Sequence, residues 1–131
     1  MEFKLEVVVV PVADVDRAKA FYADRLGFAV DVDRQVTPDL RVVQLTPPGS
    51  ACSVTIGPSN SEPGSLKGLQ LVVSDIVAAR ELLVGRGVDA TPVKHMGPDG
   101  WEDGHGGPWN AFFFFDDPDG NSWAVQEKPA S

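Results

Sequence analysis

The sequence is poor in the residues that most often announce chemistry. Among 131 residues there is one cysteine, Cys52, and there are two histidines, His95 and His105. A single cysteine excludes an intrachain disulfide and leaves a small buried thiol as its expected role. Lysine and arginine total 11 against 19 aspartates and glutamates, a net charge of −8. With no basic run, the chain offers little to attract nucleic-acid phosphates or anionic lipid, so neither is expected as a partner. No apolar run approaches the roughly 20 residues that a membrane-spanning helix needs. Met1, Glu2, Phe3 and Lys4 do not begin the basic and long apolar regions of a secretory signal. With 43% hydrophobic and 23% charged residues, a soluble cytoplasmic protein is expected. No G-x-S-x-G elbow, P-loop or H-E-x-x-H zinc motif occurs.

Against that background the clearest signal is FFFFDDPDGNSWAVQE, residues 112–127. Residues 112–115 are consecutive phenylalanines, so both faces of the segment are apolar, as in a strand buried on both sides. Asp117-Pro118-Asp119-Gly120 follows. Pro118 pre-sets φ for the second position of a type I turn, and Gly120 suits the left-handed position after it. Residues 121–127 return as a second strand, which closes a hairpin.

Upstream, residues 5–12, LEVVVVPV, read as a strand, with Pro11 placing its end at an edge or a bulge. Valines of both parities predict that both faces of this strand are covered. Asp14 suits the N-cap of a helix whose apolar stripe runs through Val15, Ala18, Phe21, Tyr22 and Leu26, and which Gly27 ends. Residues 28–33, 40–45 and 51–56 read as strands, and 57–65, GPSNSEPGS, as a polar linker rich in breakers. The pattern then restarts. A strand at 69–73 leads to a helix capped by Ser74 or Asp75, with Ile76, Ala79, Leu82 and Leu83 apolar and a stop at Arg86-Gly87. A strand at 88–93, a long glycine-rich loop at 94–108 and the hairpin complete it.

Shifting the first half by about 61 residues lays Asp14 on Asp75 and Ala18 on Ala79 and, with one residue of slip, Gly27 on Gly87. A unit this long, present twice, is not a solenoid repeat. It predicts an α+β fold of two βαβββ modules in one domain, residues 1–131. Module 1 spans about 3–57, the linker 58–65 and module 2 about 66–128. The two curved sheets face each other across a cleft, with the helices outside. The alternative is a ferredoxin-like α+β sheet that dimerises through its face.

This layout, with DVDRAKAFYADRLGF at 14–28 and DDPDGNSW at 116–123, resembles the vicinal oxygen chelate superfamily. That group includes glyoxalase I, extradiol dioxygenases, methylmalonyl epimerase, and bleomycin- and fosfomycin-resistance proteins. The similarity runs from Leu5 to Glu127 and implies a homodimer. The family's enzymes carry a metal-binding histidine seven residues before the helix-capping aspartate. That position is Val7 in the first module and Gly68 in the second. The family's last ligand, a glutamate, falls on Ala124, three residues after Asn121. None of the three has a side-chain donor, and residues 51–56 contain no His, Asp, Glu or Gln. The resemblance therefore implies no metal and no other cofactor here, and the metal-dependent activities are not carried over. A loop-borne ion held by His95, Glu102 and His105 is the metal-bearing alternative. Gly97, Gly100, Gly104, Gly106 and Gly107 weigh against it, since they suit a mobile loop, and no second group pairs visibly with either histidine.

If Val7, Gly68 and Ala124 face the cleft, as the resemblance implies, strand parity turns Gln70 and Gln126 the same way, with Gln44 as a further polar lining; the alternative is that these glutamines only satisfy each other or face solvent. Trp101 and Trp109 either close over an apolar ligand or pack on the core. Trp123, of opposite parity, packs beneath a helix. Val7, Gln44, Gln70, Trp101, Trp109, Ala124 and Gln126 thus outline an apolar pocket with few polar groups, as ligand sites have. The function so implied is that of a glyoxalase/bleomycin-resistance/dioxygenase superfamily protein without the usual metal ligands, binding a small apolar or aromatic molecule. The alternative is a metal-free or loop-metal lyase or isomerase of the same superfamily, its base being His95, His105 or a cleft carboxylate.

Overall fold

The computed structural model describes residues 1–57 and 59–130. Pro58, the first residue of the expected linker, and Ser131, the last of the expected domain, lie outside the described residues. The chain is α+β, with two mixed sheets and few helices. It separates into two compact units, the first comprising Met1–Leu66 with Asp117–Asn121, and the second the remainder from Lys67 onward.

The first unit runs β1 (Val7–Pro11), α1 (Val15–Ala20), a π-helical turn (Phe21–Arg25), β2 (Ala29–Thr37), β3 (Leu40–Thr46) and β4 (Ser53–Gly57). Its sheet has the order β1-β4-β3-β2, with β1 parallel to β4 and the other pairs antiparallel. Asp14 caps α1 by accepting the Arg17 N–H at 3.0 Å. Gly27 leaves the helix at φ 78°, a conformation that costs other residues about 1 kcal/mol or more. One parity of the sheet (Val10, Val43, Leu45, Val54 and Ile56) is buried, as are Ala18, Phe21 and Tyr22 of the helical segment. The other parity stays open, with Val7 39% and Val9 49% exposed. The expectation of two covered faces therefore holds for one, because α1 covers a single side. Arg41 of β3 bridges Asp16 and Asp33, the latter on the outer strand β2, and Lys19 reaches Asp33 at 2.6 Å. Arg41, and then Lys19, hold the Asp33 carboxyl well below the usual carboxylate range.

The DPDG turn belongs to this first unit and is anchored by a buried polar hub. Asp117 Oδ2 accepts from Tyr22 Oη at 2.7 Å and from Asn121 Nδ2 at 2.8 Å. Asp117 Oδ1 accepts the backbone N–H groups of Asp119 and Asn121, both at 2.9 Å. Asn121 Nδ2 also donates to Pro11 O at 2.9 Å, and Asn121 Oδ1 accepts Leu66 N–H at 3.1 Å.

The second unit runs β5 (Leu69–Val73), α2 (Ile76–Gly85), β6 (Lys94–Gly97), β7 (Gly100–Asp103), β8 (Phe112–Asp116) and β9 (Ser122–Glu127). The strand order is β5-β9-β8-β6-β7, with β5 parallel to β9. Two separate sheets, of four and five strands, exclude the single sheet of the ferredoxin-like alternative. Asp75 caps α2 through Ala78 N–H at 3.0 Å, and α2 packs on β8 and β9.

Two expectations for this unit are corrected. Residues 88–93 do not form a strand. Pro92 has no N–H to give a ladder, and Thr91 docks on β8 by exchanging two bonds with Phe114, one through its own Oγ1. The glycine-rich stretch after it is not an open loop either. β6 and β7 pair from Lys94↔Asp103 to Gly97↔Gly100 around the Pro98-Asp99 turn. Asn110 then clamps the hairpin, its side chain donating to Met96 O at 3.0 Å and accepting Met96 N–H at 2.8 Å. Among the described residues no helix is long and apolar enough to cross a membrane.

Candidate functional site

The register of the second sheet assembles one continuous face. Gln70 stands beside Ala124 and Val72 beside Gln126. Ala124 stands beside Phe114, and Gln126 beside Phe112. Phe112 is paired with Lys94, Lys94 with Asp103, and Met96 with Trp101. The alternate residues Phe113, Phe115, Trp123 and Val125 are buried. Trp123 stacks on Phe115 there, centroids 6.1 Å apart, as its parity predicts. The Gln70–Gln126 parity is left accessible, with Val72 55% and Trp101 45% exposed.

The floor of this face is aromatic. The Phe112 and Phe114 rings lie parallel, 6.3 Å apart. Trp101, carried in by the β6–β7 hairpin, meets them edge-on at 5.2 and 5.1 Å. Such edge-to-face pairs contribute about 0.5–1.5 kcal/mol beyond area burial, so the floor is held in place before any ligand arrives.

A short chain of amides crosses the same face. Gln70 Nε2 donates to Gln126 Oε1 at 2.6 Å, and Gln126 Nε2 donates to the Trp109 carbonyl at 2.8 Å. Trp109 sits in the turn that Asn110 N–H closes onto Gly107 O at 3.1 Å. Its φ is 61°, a left-handed conformation normally left to glycine. The turn aims its carbonyl at Gln126 and leaves the residue 54% exposed. Of the seven residues singled out from the sequence, Gln70, Ala124, Gln126 and Trp101 share this face, and Trp109 is tied to it by its backbone. Neither Trp101 nor Trp109 is a core residue. Val7 and Gln44 lie on the first unit's sheet, on the parity that α1 leaves uncovered, where Gln44 pairs with Thr55 and Val7 with Ser53.

His95 lies on β6 with its side chain largely covered, whereas His105 is an exposed residue beyond the end of β7, and both have polar partners. His95 lies between Glu102 Oε2 at 3.1 Å and Gly104 O at 3.0 Å. It packs so closely on Gly106 that a Cβ there would meet the His95 Cβ at 2.5 Å. His105 Nδ1 accepts Gly107 N–H at 3.0 Å, so the ring hydrogen sits on Nε2, which donates to Glu127 Oε1 at 2.6 Å. Each histidine thus has its own carboxylate, contrary to the sequence reading, and His95, Glu102 and His105 do not converge. Among the described residues no three His, Cys, Asp or Glu side chains gather as a metal site requires.

Glu127 also accepts Ile76 N–H, at the start of α2, at 2.9 Å. The His105 bond, and then the Ile76 N–H, lower its carboxyl pKa from 4.5. A lowered folded value stabilises the protein above pH 4.5, and that contribution disappears as pH falls through the folded value. The stability difference between the native protein and Glu127→Gln should therefore narrow as urea unfolding is measured at successively lower pH below 4.5. A difference that stays constant would remove Glu127 from acid unfolding.

The sequence reading missed Phe112 and Phe114, because a run of four phenylalanines conceals which parity is core. It also missed the hairpin that delivers Trp101, although Pro98-Asp99-Gly100 carries a turn signal. Beside the face lies an open groove of about 500 Å³, lined by residues 89–92 and 114–116.

Comparison with known proteins agrees with this architecture. The model of the Glyoxalase/Bleomycin resistance protein/Dioxygenase superfamily matches residues 4–125. TnmS3, an antibiotic binding protein from Streptomyces sp. CB03234, is 30% identical, with a TM-score of 0.78 over 97% of each chain. A glyoxalase/bleomycin resistance protein from the same organism is 31% identical, with a TM-score of 0.75 over 94% of this chain and 99% of that one. The protein YetH of Bacillus subtilis (strain 168) is 26% identical over 127 residues, 95% of this chain and 98% of that protein. A family match that takes in both units, β1 through most of β9, means that the chain belongs to the Glyoxalase/Bleomycin resistance protein/Dioxygenase superfamily.

Proposed function

We propose that the protein binds a small apolar or aromatic molecule on the open face of its second sheet. The observation that carries this reading is an accessible floor of Phe112, Phe114 and Trp101 beside two hydrogen-bonding amides, Gln70 and Gln126. Aromatic area supplies affinity, and a few polar groups fix orientation. Antibiotic binding by TnmS3 supports the same class of function. Ala124 lies at the middle of the face, and Trp109 stands at its margin. Val7 and Gln44 are retained as candidate contacts on the first unit's own open sheet face. A homodimer, implied by the resemblance, and a cytoplasmic location, expected from the composition, complete the reading.

The reading is metal-independent. Val7, Gly68 and Ala124, where the resemblance sets ligands, have no donor atoms, and the amides beside Ala124 are engaged with each other. Divalent ions of this family's kind need imidazole or carboxylate donors, so these residues do not fit one.

The test is calorimetric titration with neutral naphthalene derivatives. Trp101→Ala is expected to weaken binding about tenfold, and Gln126→Ala about fivefold, because Gln126 holds the Gln70 amide in its orientation. Binding that neither change alters would refute the site. The His105–Glu127 pair favours one second reading, a metal-free lyase or isomerase in which His105 Nδ1 gives up the Gly107 N–H and acts as the base. Conversion of a bound compound in the presence of chelator, lost in His105→Ala, would establish it.

A further inference from the structure

The amide chain has a direction, and the direction specifies what a ligand must present. The Trp109 carbonyl can only accept, so Gln126 must turn its NH2 toward it. Gln126 Oε1 then faces Gln70, which must turn its own NH2 inward. What remains at the ligand end is Gln70 Oε1, an acceptor with both lone pairs unused among the described residues, beside the second hydrogen of Gln70 Nε2. An acceptor and a donor on one planar amide complement a donor and an acceptor on another.

Charge narrows the class further. Lys94 is the one Lys or Arg in the five strands of this sheet, and it is paired with Asp103 at 3.1 Å. On the same parity Asp116 stands at the end of β8, beside Ser122. Among the described strand residues of this sheet, an anionic ligand would meet no cation free of a carboxylate partner, and it would meet two carboxylates, Asp103 and Asp116.

Resting on the binding reading above, we propose that the ligand class is a neutral, flat aromatic bearing a carboxamide or lactam, its ring on Phe112, Phe114 and Trp101 and its amide paired with Gln70. The expected contacts are Gln70 Oε1 accepting the ligand N–H and Gln70 Nε2 donating to the ligand C=O. No bond is made or broken.

Three probes with one ring system test it by titration calorimetry: 2-naphthamide, methyl 2-naphthoate and 2-naphthoate. The amide is expected to bind about tenfold more tightly than the ester, which lacks the donor, and the carboxylate least tightly. Gln70→Met, which keeps side-chain length, is expected to bring amide and ester to equal affinity while retaining the ring's contribution. Amide and ester of equal affinity in the native protein, both weakened by Trp101→Ala, would overturn the ligand class and leave the site standing. Probes that do not bind, or whose binding Trp101→Ala and Gln70→Met both leave unchanged, would overturn site and class together. Preservation of the β-sheet circular dichroism spectrum in each variant shows that a lost preference is not a lost fold.

Discussion

Asp117→Ala is expected to lower the unfolding free energy by about 3–5 kcal/mol, the largest effect of any single change outside the hydrophobic core. Asp117 is 5% exposed, and its carboxylate is the acceptor for four donors from three residues. Alanine would remove the acceptor of the Tyr22 hydroxyl, of one Asn121 amide hydrogen and of two backbone N–H groups together. Each buried donor left unpaired costs about 1–3 kcal/mol, and water entering the gap returns part of that. Tyr22→Phe removes one donor and leaves the rest of the hub satisfied, so its cost should be nearer 1 kcal/mol. Urea unfolding monitored by tryptophan fluorescence separates the two. A loss below about 1 kcal/mol for Asp117→Ala would mean that the hub does not anchor the turn.

Gly64→Ala is expected to cost about 3 kcal/mol or more, although it adds one methyl group at the end of a polar linker. A Cβ at Gly64 would fall 1.9 Å from the Asp119 carbonyl oxygen and 2.9 Å from its carbonyl carbon. Those atoms are backbone and cannot rotate aside. Relief would have to displace the DPDG turn or break the bond from Gly64 N–H to Pro11 O, 3.1 Å long. The φ of 79° adds about 1–2 kcal/mol for any residue with a Cβ. Gly68 is the internal control, since its φ is 87° but nothing lies within 4 Å of its Cβ position. Gly68→Ala should show the conformational cost alone. Equal losses for the two variants in thermal melts would contradict the steric argument.

These two positions also show where the sequence could be read and where it could not. Asp14, Asp75, Gly27, Gly87 and Gly120 act through their own backbone neighbourhoods, so their capping and turn roles were visible from local spacing. The valine- and phenylalanine-rich strands were visible for the same reason. The Tyr22–Asp117 bond spans 95 positions and has no local signature. The sequence shows Asp117 only as the first residue of a turn, because its turn partners are near in sequence, whereas Tyr22 is not.

The candidate site was half legible. Alternation along β5 and β9 predicted that Gln70 and Gln126 share a side, and they do meet. The floor beneath them was hidden because residues 112–115 give both faces the same side chain. The carboxylate partners of His95 and His105 were hidden because the glycines were read as freedom. Gly97 and Gly106 instead mark close approach, since a Cβ at either would strike Glu102 or His95.

The central claim is that the open face of β5, β9, β8 and the β6–β7 hairpin is a ligand surface. Its most direct test is a two-dimensional proton–nitrogen NMR titration of the labelled native protein with methyl 2-naphthoate. The account predicts that the Trp101 indole N–H and the side-chain amides of Gln70 and Gln126 shift together and saturate with one dissociation constant. Shifts that gather in the groove at residues 89–92, with Trp101, Gln70 and Gln126 unmoved, would contradict it.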